Sequence, residues 1–138
     1  MDILDKASTQ IQFAGRLLIA YIFVMAGWGK IVGYAGTVAY MEAKGIPGAL
    51  LPLVILTELG GGLAVAVGFQ TRLAAFLLAG FSIVSAGVFH YQPGDQAQMI
   101  GFMKNLAMAG GFLFIVANGP GAWSMDALIG THKNPGVA

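Results

Sequence analysis

The sequence predicts an all-α integral membrane protein, a single bundle of four transmembrane helices with antiparallel neighbours. Three observations carry that prediction. First, 57% of the residues are hydrophobic and 9% are charged, against about 25% charged in ordinary soluble domains, and the mean hydropathy is +0.78. A soluble domain of 138 residues has too much surface to cover with so few charges. Second, four stretches reach the roughly 17–25 mostly apolar residues that a spanning helix needs. Third, they are separated by turn signals. Length suggests one domain, 1–138.

The first span is expected over about 13–32, "FAGRLLIAYIFVMAGWGKIV". Before it, Asp2 and Asp5 outnumber Lys6, unlike the positive start of a secretory signal. Ile3, Leu4, Ala7 and Ile11 recur at helical spacing, so 2–11 reads as a short interfacial amphipathic helix. The longest polar connection follows, with "GTVAYMEAK" able to form one or two surface turns. Pro47 and Pro52 introduce the second span, about 50–68. The tight "GFQT" forces the third, about 72–91, to lie antiparallel beside the second. Pro93-Gly94 marks a turn before the fourth, about 101–118, which "NGPG" stops. Ser124 reads as the N-cap of a last short helix, and Trp123 as an interfacial residue.

Small residues pattern the spans. Gly60, Ala64 and Gly68, Ala75 and Ala79, and Ala107 and Gly111 form ladders, which in lipid let helix backbones approach closely. An even number of spans puts both termini on one side. Lys6, Arg72 and Lys133 with Arg16 face Lys44, Lys30 and Lys104 across the membrane, a slight bias toward cytoplasmic termini.

Several functions are excluded. Net charge is +1 with no basic cluster, which argues against nucleic acid as a partner. There is no cysteine, hence no disulfide, thiolate metal site or thiol redox pair. His90 and His132 have no second histidine at helical spacing, so no metal site is expected; His132 sits in a polar, solvated tail. "GGG" at Gly60–Gly62 lies within a helix with no following Gly-Lys, so it is no phosphate loop. No nucleophile–base pair with an orienting third group is legible, and an enzymatic activity of the chain by itself is not expected.

The polar residues inside the spans are the candidates for function. A charge at the bilayer centre costs roughly 2.5–3.5 kcal/mol on insertion scales. Arg16, Lys30, Arg72 and Lys104 have long stems that can carry their charge to the headgroups. Glu58 cannot: it lies about 12 Å into its helix at 1.5 Å per residue. It must be paired or protonated inside the bundle, with Lys104, Lys30 and Arg16 as candidate partners in that order. Two readings stay open: an ion pair that fixes packing, or a ligand-binding or proton-handling carboxylate. Asn105 and His90 complete the polar set, His90 with Tyr91 at the mouth of the bundle.

An Arg in helix one, "AGWGK" closing it, a Glu in helix two, "GFQTRLAA", then His90, "FMKNLAMAGGFL" and "GPGAWSMD" together resemble the DoxX family of small bacterial membrane proteins. The resemblance runs over about Phe13–Asp126. It implies a four-helix protein of the bacterial inner membrane, named for a subunit associated with a membrane quinol oxidase or thiosulfate:quinone oxidoreductase. The positions matching the family's polar pattern are Arg16, Lys30, Glu58, Arg72, His90, Lys104 and Asn105. Its thiol chemistry cannot carry over to a chain without cysteine. The expected function is a redox-associated subunit that binds a quinone head group between helices, holds no cofactor of its own, and works with another membrane or redox protein or by self-association. The alternatives are a non-catalytic assembly protein and a small-molecule transporter acting as an oligomer; no inverted repeat favours the latter.

Overall fold

The computed structural model describes residues 2–133, apart from the side chains of 131–133; the expectations that rest on the His132 and Lys133 side chains therefore lie outside what is described. All regular structure among the described residues is helical. The elements are α1 (Ile3–Lys6), α2 (Ser8–Val32), α3 (Tyr34–Ala43), α4 (Gly48–Val67), α5 (Thr71–His90), α6 (Gln96–Asn118) and α7 (Met125–Lys133). Of these, α2, α4, α5 and α6 are long and apolar enough to cross a membrane.

Two of the expected boundaries move outward. α2 begins at Ser8 rather than Phe13, and the expected amphipathic helix over 2–11 is cut at Ala7: one turn, α1, precedes it and the rest joins the span. α6 begins at Gln96 rather than Gly101, because Asp95 caps it: the carboxylate accepts from the Gln98 amide at 3.2 Å. Hydropathy marks where a helix enters hydrocarbon; the backbone ladder ends where a cap satisfies its first N–H groups. The first-loop helix is longer than expected, as α3. Ser124 caps α7, its Oγ accepting from the Ala127 amide at 3.2 Å.

α4 is not uniform. It opens with a 3₁₀ turn at Gly48–Leu50. Pro52 sits in the first α-helical turn, where its missing N–H would have been unpaired in any case. A π-helical turn occupies Leu56–Gly60. The helix ends at Gly68, whose φ of 73° is left-handed. There the Phe69 amide reaches back to the Ala64 carbonyl at 2.9 Å, a glycine-dependent C-terminal cap.

In the bundle α4 packs between α2 and α5, and α5 between α4 and α6. The buried centre holds Phe112, Leu78, Val65, Ala75 and Ala79, so the α5 ladder is an inner face as expected. α2 and α6 touch only slightly. Phe23 meets the Phe112 ring edge-on at 5.3 Å between centroids, and Ile19 lies against Gly111; elsewhere the seam between these helices is open.

The small-residue ladders hold only in part: a Cβ on Gly111 would lie 2.7 Å from Ile19 Cδ1 and one on Gly68 would meet Ser124 and Arg16, but Gly60 and Ala107 make no such approach. A Cβ on Gly60 would meet only Leu56 of its own helix, at 3.5 Å, and Ala107 is exposed. The close approaches are at Gly62, where a Cβ would lie 3.1 Å from the Val24 nitrogen, and at Gly61, 3.2 Å from Leu78 Cγ. Gly27 answers from α2: a Cβ there would lie 2.8 Å from the Leu59 nitrogen. Three consecutive glycines point in three directions about 100° apart, and only the neighbours' positions decide which of them is needed. Gly27→Val is expected to push α2 off α4 and to destabilise the protein by about 1–3 kcal/mol, the usual range for overpacking. Gly60→Ala is expected to be neutral or stabilising. Thermal unfolding in detergent distinguishes the two.

Candidate functional site

The intramembrane charges separate to opposite ends of the bundle. At the end where the termini lie, Arg16 is 2% exposed. Its Nη1 donates to the carbonyls of Val65 at 2.9 Å and Ala66 at 3.0 Å, and its Nη2 donates to the carbonyl of Trp123. Val65 and Ala66 belong to the last turn of α4, whose carbonyls carry partial negative charge and have no i+4 helical donor; the Val65 carbonyl also accepts from the Gly68 amide at 3.2 Å. Arg16 also stands over the Phe13 ring at 5.6 Å, and Phe13 packs edge-on against Trp123. It therefore ties α2 to the end of α4 and to the segment before α7. It is not a partner of Glu58.

Asp126 completes this end. Its carboxylate accepts from the Gln70 amide at 2.8 Å, the Thr71 amide at 2.9 Å and the Thr71 hydroxyl at 2.6 Å. A residue of α7 thus caps the start of α5 in place of a local cap. Partial burial pushes the Asp126 carboxyl up, but the hydrogen bonds from Thr71 and Gln70 and the charge of Arg16 outweigh it and hold the group below the usual carboxylate range. A depressed carboxyl contributes stability that is present above its unfolded value, about 4, and is lost as pH falls through the folded one. Asp126→Asn is expected to lower stability near pH 7 by about 1 kcal/mol, the usual worth of a cap. The difference from wild type should shrink below about pH 4. Thermal unfolding between pH 3 and 7 checks both.

At the other end Lys30 pairs with Glu58. Nζ lies 3.1 Å from Oε1 and 2.8 Å from Oε2, with side-chain exposures of 28% and 6%. Gly27, one turn before Lys30, brings α2 close enough to α4 for this contact. Lys104, ranked first from the sequence, is exposed on α6. The reason is rotational: depth along the axis placed Lys104 as well as Lys30, but α6 turns Lys104 away from the core while its neighbour Asn105 faces inward.

Two cavities flank the pair. One, of about 140 Å³, is lined by Lys30 and Glu58 together with Tyr40, Met41, Ser85 and His90. The other, of about 200 Å³, lies at the seam between α2 and α6 and adds Ala26, Asn105 and Met108 to Lys30, Glu58 and His90. π-helical turns stand on both sides: Leu56–Gly60 holds Glu58, and Ala86–His90 ends in His90. Ser82, Ala86 and His90 follow in steps of four. Each such step overshoots an α-helical turn by about 40°, and the wider π turn takes up the drift, so His90 reaches the same cavities as Ser85. Gly101 gives the imidazole room: a Cβ there would lie 3.0 Å from His90 Nδ1. His90 Nδ1 lies 2.9 Å from Gln98 Oε1, so Gln98 holds one side of the ring and Nε2 remains for another partner. Asn105 Nδ2 donates to the Gly101 carbonyl at 3.0 Å, which leaves its oxygen free to accept.

An ammonium, a carboxylate, a hydroxyl, an imidazole and an amide thus share one apolar-walled space. They can donate to and accept from a small oxygen-bearing group. Among the described residues no three His, Asp or Glu side chains come together as metal ligands. Of the sequence-derived candidates, Glu58, Lys30, His90 and Asn105 converge. Arg16 and Lys104 do not, and Arg72 lies exposed beside Gly119. Sequence reading missed Ser85, Tyr40, Met41 and both π turns. The four-residue spacing from Ser82 to His90 was the available signal.

Four apolar spans around a buried ion pair define a multi-pass helical membrane protein. The chain belongs to the DoxX family, whose sequence model matches residues 11–91, a stretch that includes Arg16, Lys30, Glu58 and His90. The chain is 53% identical over 114 residues to inner membrane protein YqjF of Escherichia coli K12, across 83% of this chain and 88% of that one. It is 35% identical over 118 residues to inner membrane protein YphA of the same organism, across 80% and 84%. A Surfeit locus protein 4 homolog of Drosophila melanogaster is 27% identical over 130 residues, which cover 88% of this chain and 42% of that protein. No solved structure matches the chain.

Proposed function

We propose that the chain is an inner-membrane protein that binds a small carbonyl- or hydroxyl-bearing head group, of the quinone class, at the Lys30–Glu58 cluster, and that it serves as a redox-associated subunit or accessory of a larger membrane complex. One observation carries this reading: two π-helical turns face the same pair of cavities beside a bidentate ion pair. Such turns recur at functional sites, because a packing role alone is served by a regular helix. Each cavity is smaller than the roughly 300–1,000 Å³ of drug-sized ligand sites, which suits a single-ring head group. Lys30 donates to one ring oxygen, and His90 or Asn105 accepts from it in the hydroxyl form. The inner-membrane location rests on the likeness to YqjF and YphA, both inner membrane proteins of Escherichia coli. Cytoplasmic termini rest on the slight excess of Lys and Arg at that end, Lys6, Arg16, Arg72 and Lys133 against Lys30, Lys44 and Lys104 at the other. The redox group itself belongs to the partner, since this chain offers no thiolate.

The test is titration of the purified protein with a short-chain, water-soluble benzoquinone, wild type against Glu58→Gln. At least tenfold weaker binding is expected in the variant. A wild type that does not bind removes the reading and leaves an assembly role, which the Lys30–Glu58 pair joining α2 to α4 would then explain.

A further inference from the structure

The polar cluster is closed on one side and open on another. α3 lies across its loop side: Tyr40 and Met41 line the smaller cavity, Met41 is 3% exposed, and Tyr40 stacks on Phe89 of α5 at 5.6 Å between ring centroids. The larger cavity lies at the seam of α2 and α6, the two spans that hardly touch. Farther along the same seam, toward the termini, lies a third cavity of about 340 Å³ with mainly apolar walls. Between them the seam is bridged on its inner side by the Phe23–Phe112 ring contact and toward the bilayer by Ile19, whose Cδ1 would lie 2.7 Å from a Cβ on Gly111. The Ile19 bridge is the tip of a flexible side chain. The lining positions run on one stripe of each helix: Ile19, Ile22 and Ala26 of α2 face Met108, Gly111 and Ile115 of α6. From Gln12 to Lys30 the stripe extends about 27 Å at 1.5 Å per residue, close to the roughly 30 Å of the hydrocarbon core.

We propose that this seam is a groove for a lipid chain, and that the ligand of the Lys30–Glu58 cluster is a single-chain amphiphile that enters sideways from the bilayer, its small polar head at the cluster and its tail along α2 and α6. The proposal rests on the head-group site described above and adds the tail and the route. Complementarity selects this occupant. The polar cluster stands at one end; at the far end Gln12, Arg16 and Asn118 line the groove, where Arg16 and Asn118 already donate to backbone carbonyls, and the walls between are apolar. A helix of a partner or of a second copy, about 10–12 Å across, is too wide to enter cavities of this size and would leave Lys30, His90 and Asn105 without a ligand. A water-soluble ligand would have to pass α3.

Three probes with the same head test the idea in lipid nanodiscs: the short-chain benzoquinone and its decyl-tailed and tetraprenyl-tailed counterparts. Gly111→Leu closes the groove against Ile19, about 9 Å along the helix from Asn105, within reach of a decyl tail. It is expected to weaken the tailed probes at least tenfold and to leave the short probe within twofold; partitioning into lipid is the same for both proteins and cancels. A second variant, Gly15→Leu, has nothing within 4 Å of its Cβ, so it does not threaten the fold. It is expected to weaken only the tetraprenyl-tailed probe, which reaches that far. If neither variant discriminates by tail length while the short probe still binds, the groove is overturned and the head-group site stands. If no probe binds the wild type, both are overturned.

Discussion

Arg16→Met is expected to destabilise the protein more than any other single exchange at the terminal end, by about 2–5 kcal/mol. The range follows from two limits. Hydrogen bonds from a charged donor contribute about 1.5–3 kcal/mol each, and Arg16 makes three. Interhelical hydrogen bonds in membrane proteins average only about 0.6 kcal/mol, because the unfolded chain in lipid finds other partners. Arg16 should lie well above that average. Its carbonyl partners on α4 sit at a helix end, it is 2% exposed, and methionine fills the volume without donating. The loss should also spread. Trp123 precedes Ser124 and Asp126, which cap α7 and α5, so the C-terminal segment should become accessible to protease at a lower temperature than the spans melt. Arg16→Lys should recover only part of the loss, because one ammonium cannot reproduce the guanidinium fork. Unfolding in mixed micelles with limited proteolysis measures both effects. Wild-type stability in Arg16→Met would mean that the guanidinium does not hold these elements together.

Lys30→Met is expected to cost about 2–4 kcal/mol, somewhat below the 3–5 kcal/mol typical of breaking a fully buried pair, since Lys30 retains 28% exposure. The loss comes from Glu58, which is left in an apolar enclosure without its donor. Removing both charges, in Lys30→Met with Glu58→Leu, should restore most of the stability, because an apolar replacement of a buried pair is often neutral or better. The double-mutant cycle should therefore show a coupling of about 1–3 kcal/mol. Binding separates structure from function here. A stable double variant that no longer binds the short-chain benzoquinone assigns the pair to the ligand. A stable double variant that binds as well as wild type reduces the pair to packing.

The family and the fold were both legible in the chain. Four apolar stretches of spanning length, tight turns between them and an ordered series of polar positions from Arg16 to Asp126 are one-dimensional features. The hydrocarbon core imposes them through length and composition alone, so they survive without knowledge of neighbours. By the same reasoning Glu58 had to be paired or protonated, because its side chain is too short to reach water.

Which residue pairs with it was decided by rotation about the helix axes, which hydropathy does not encode. Depth allowed Lys104, Lys30 and Arg16. Gly27 against Leu59 turned Lys30 toward Glu58, α6 turned Lys104 outward, and Arg16 found the C-terminal carbonyls of α4 instead. Likewise Gly62 rather than Gly60 became the contact glycine. The four-residue spacing from Ser82 to His90 hints at one π turn but does not fix either, because each gives up regular backbone hydrogen bonds for a placement that only surrounding packing can stabilise. Sequence by itself determined that a charge had to be satisfied within a four-span bundle; the tertiary structure decided by which group, at which end, and beside which cavity, because those are matters of azimuth and contact between helices distant in the chain.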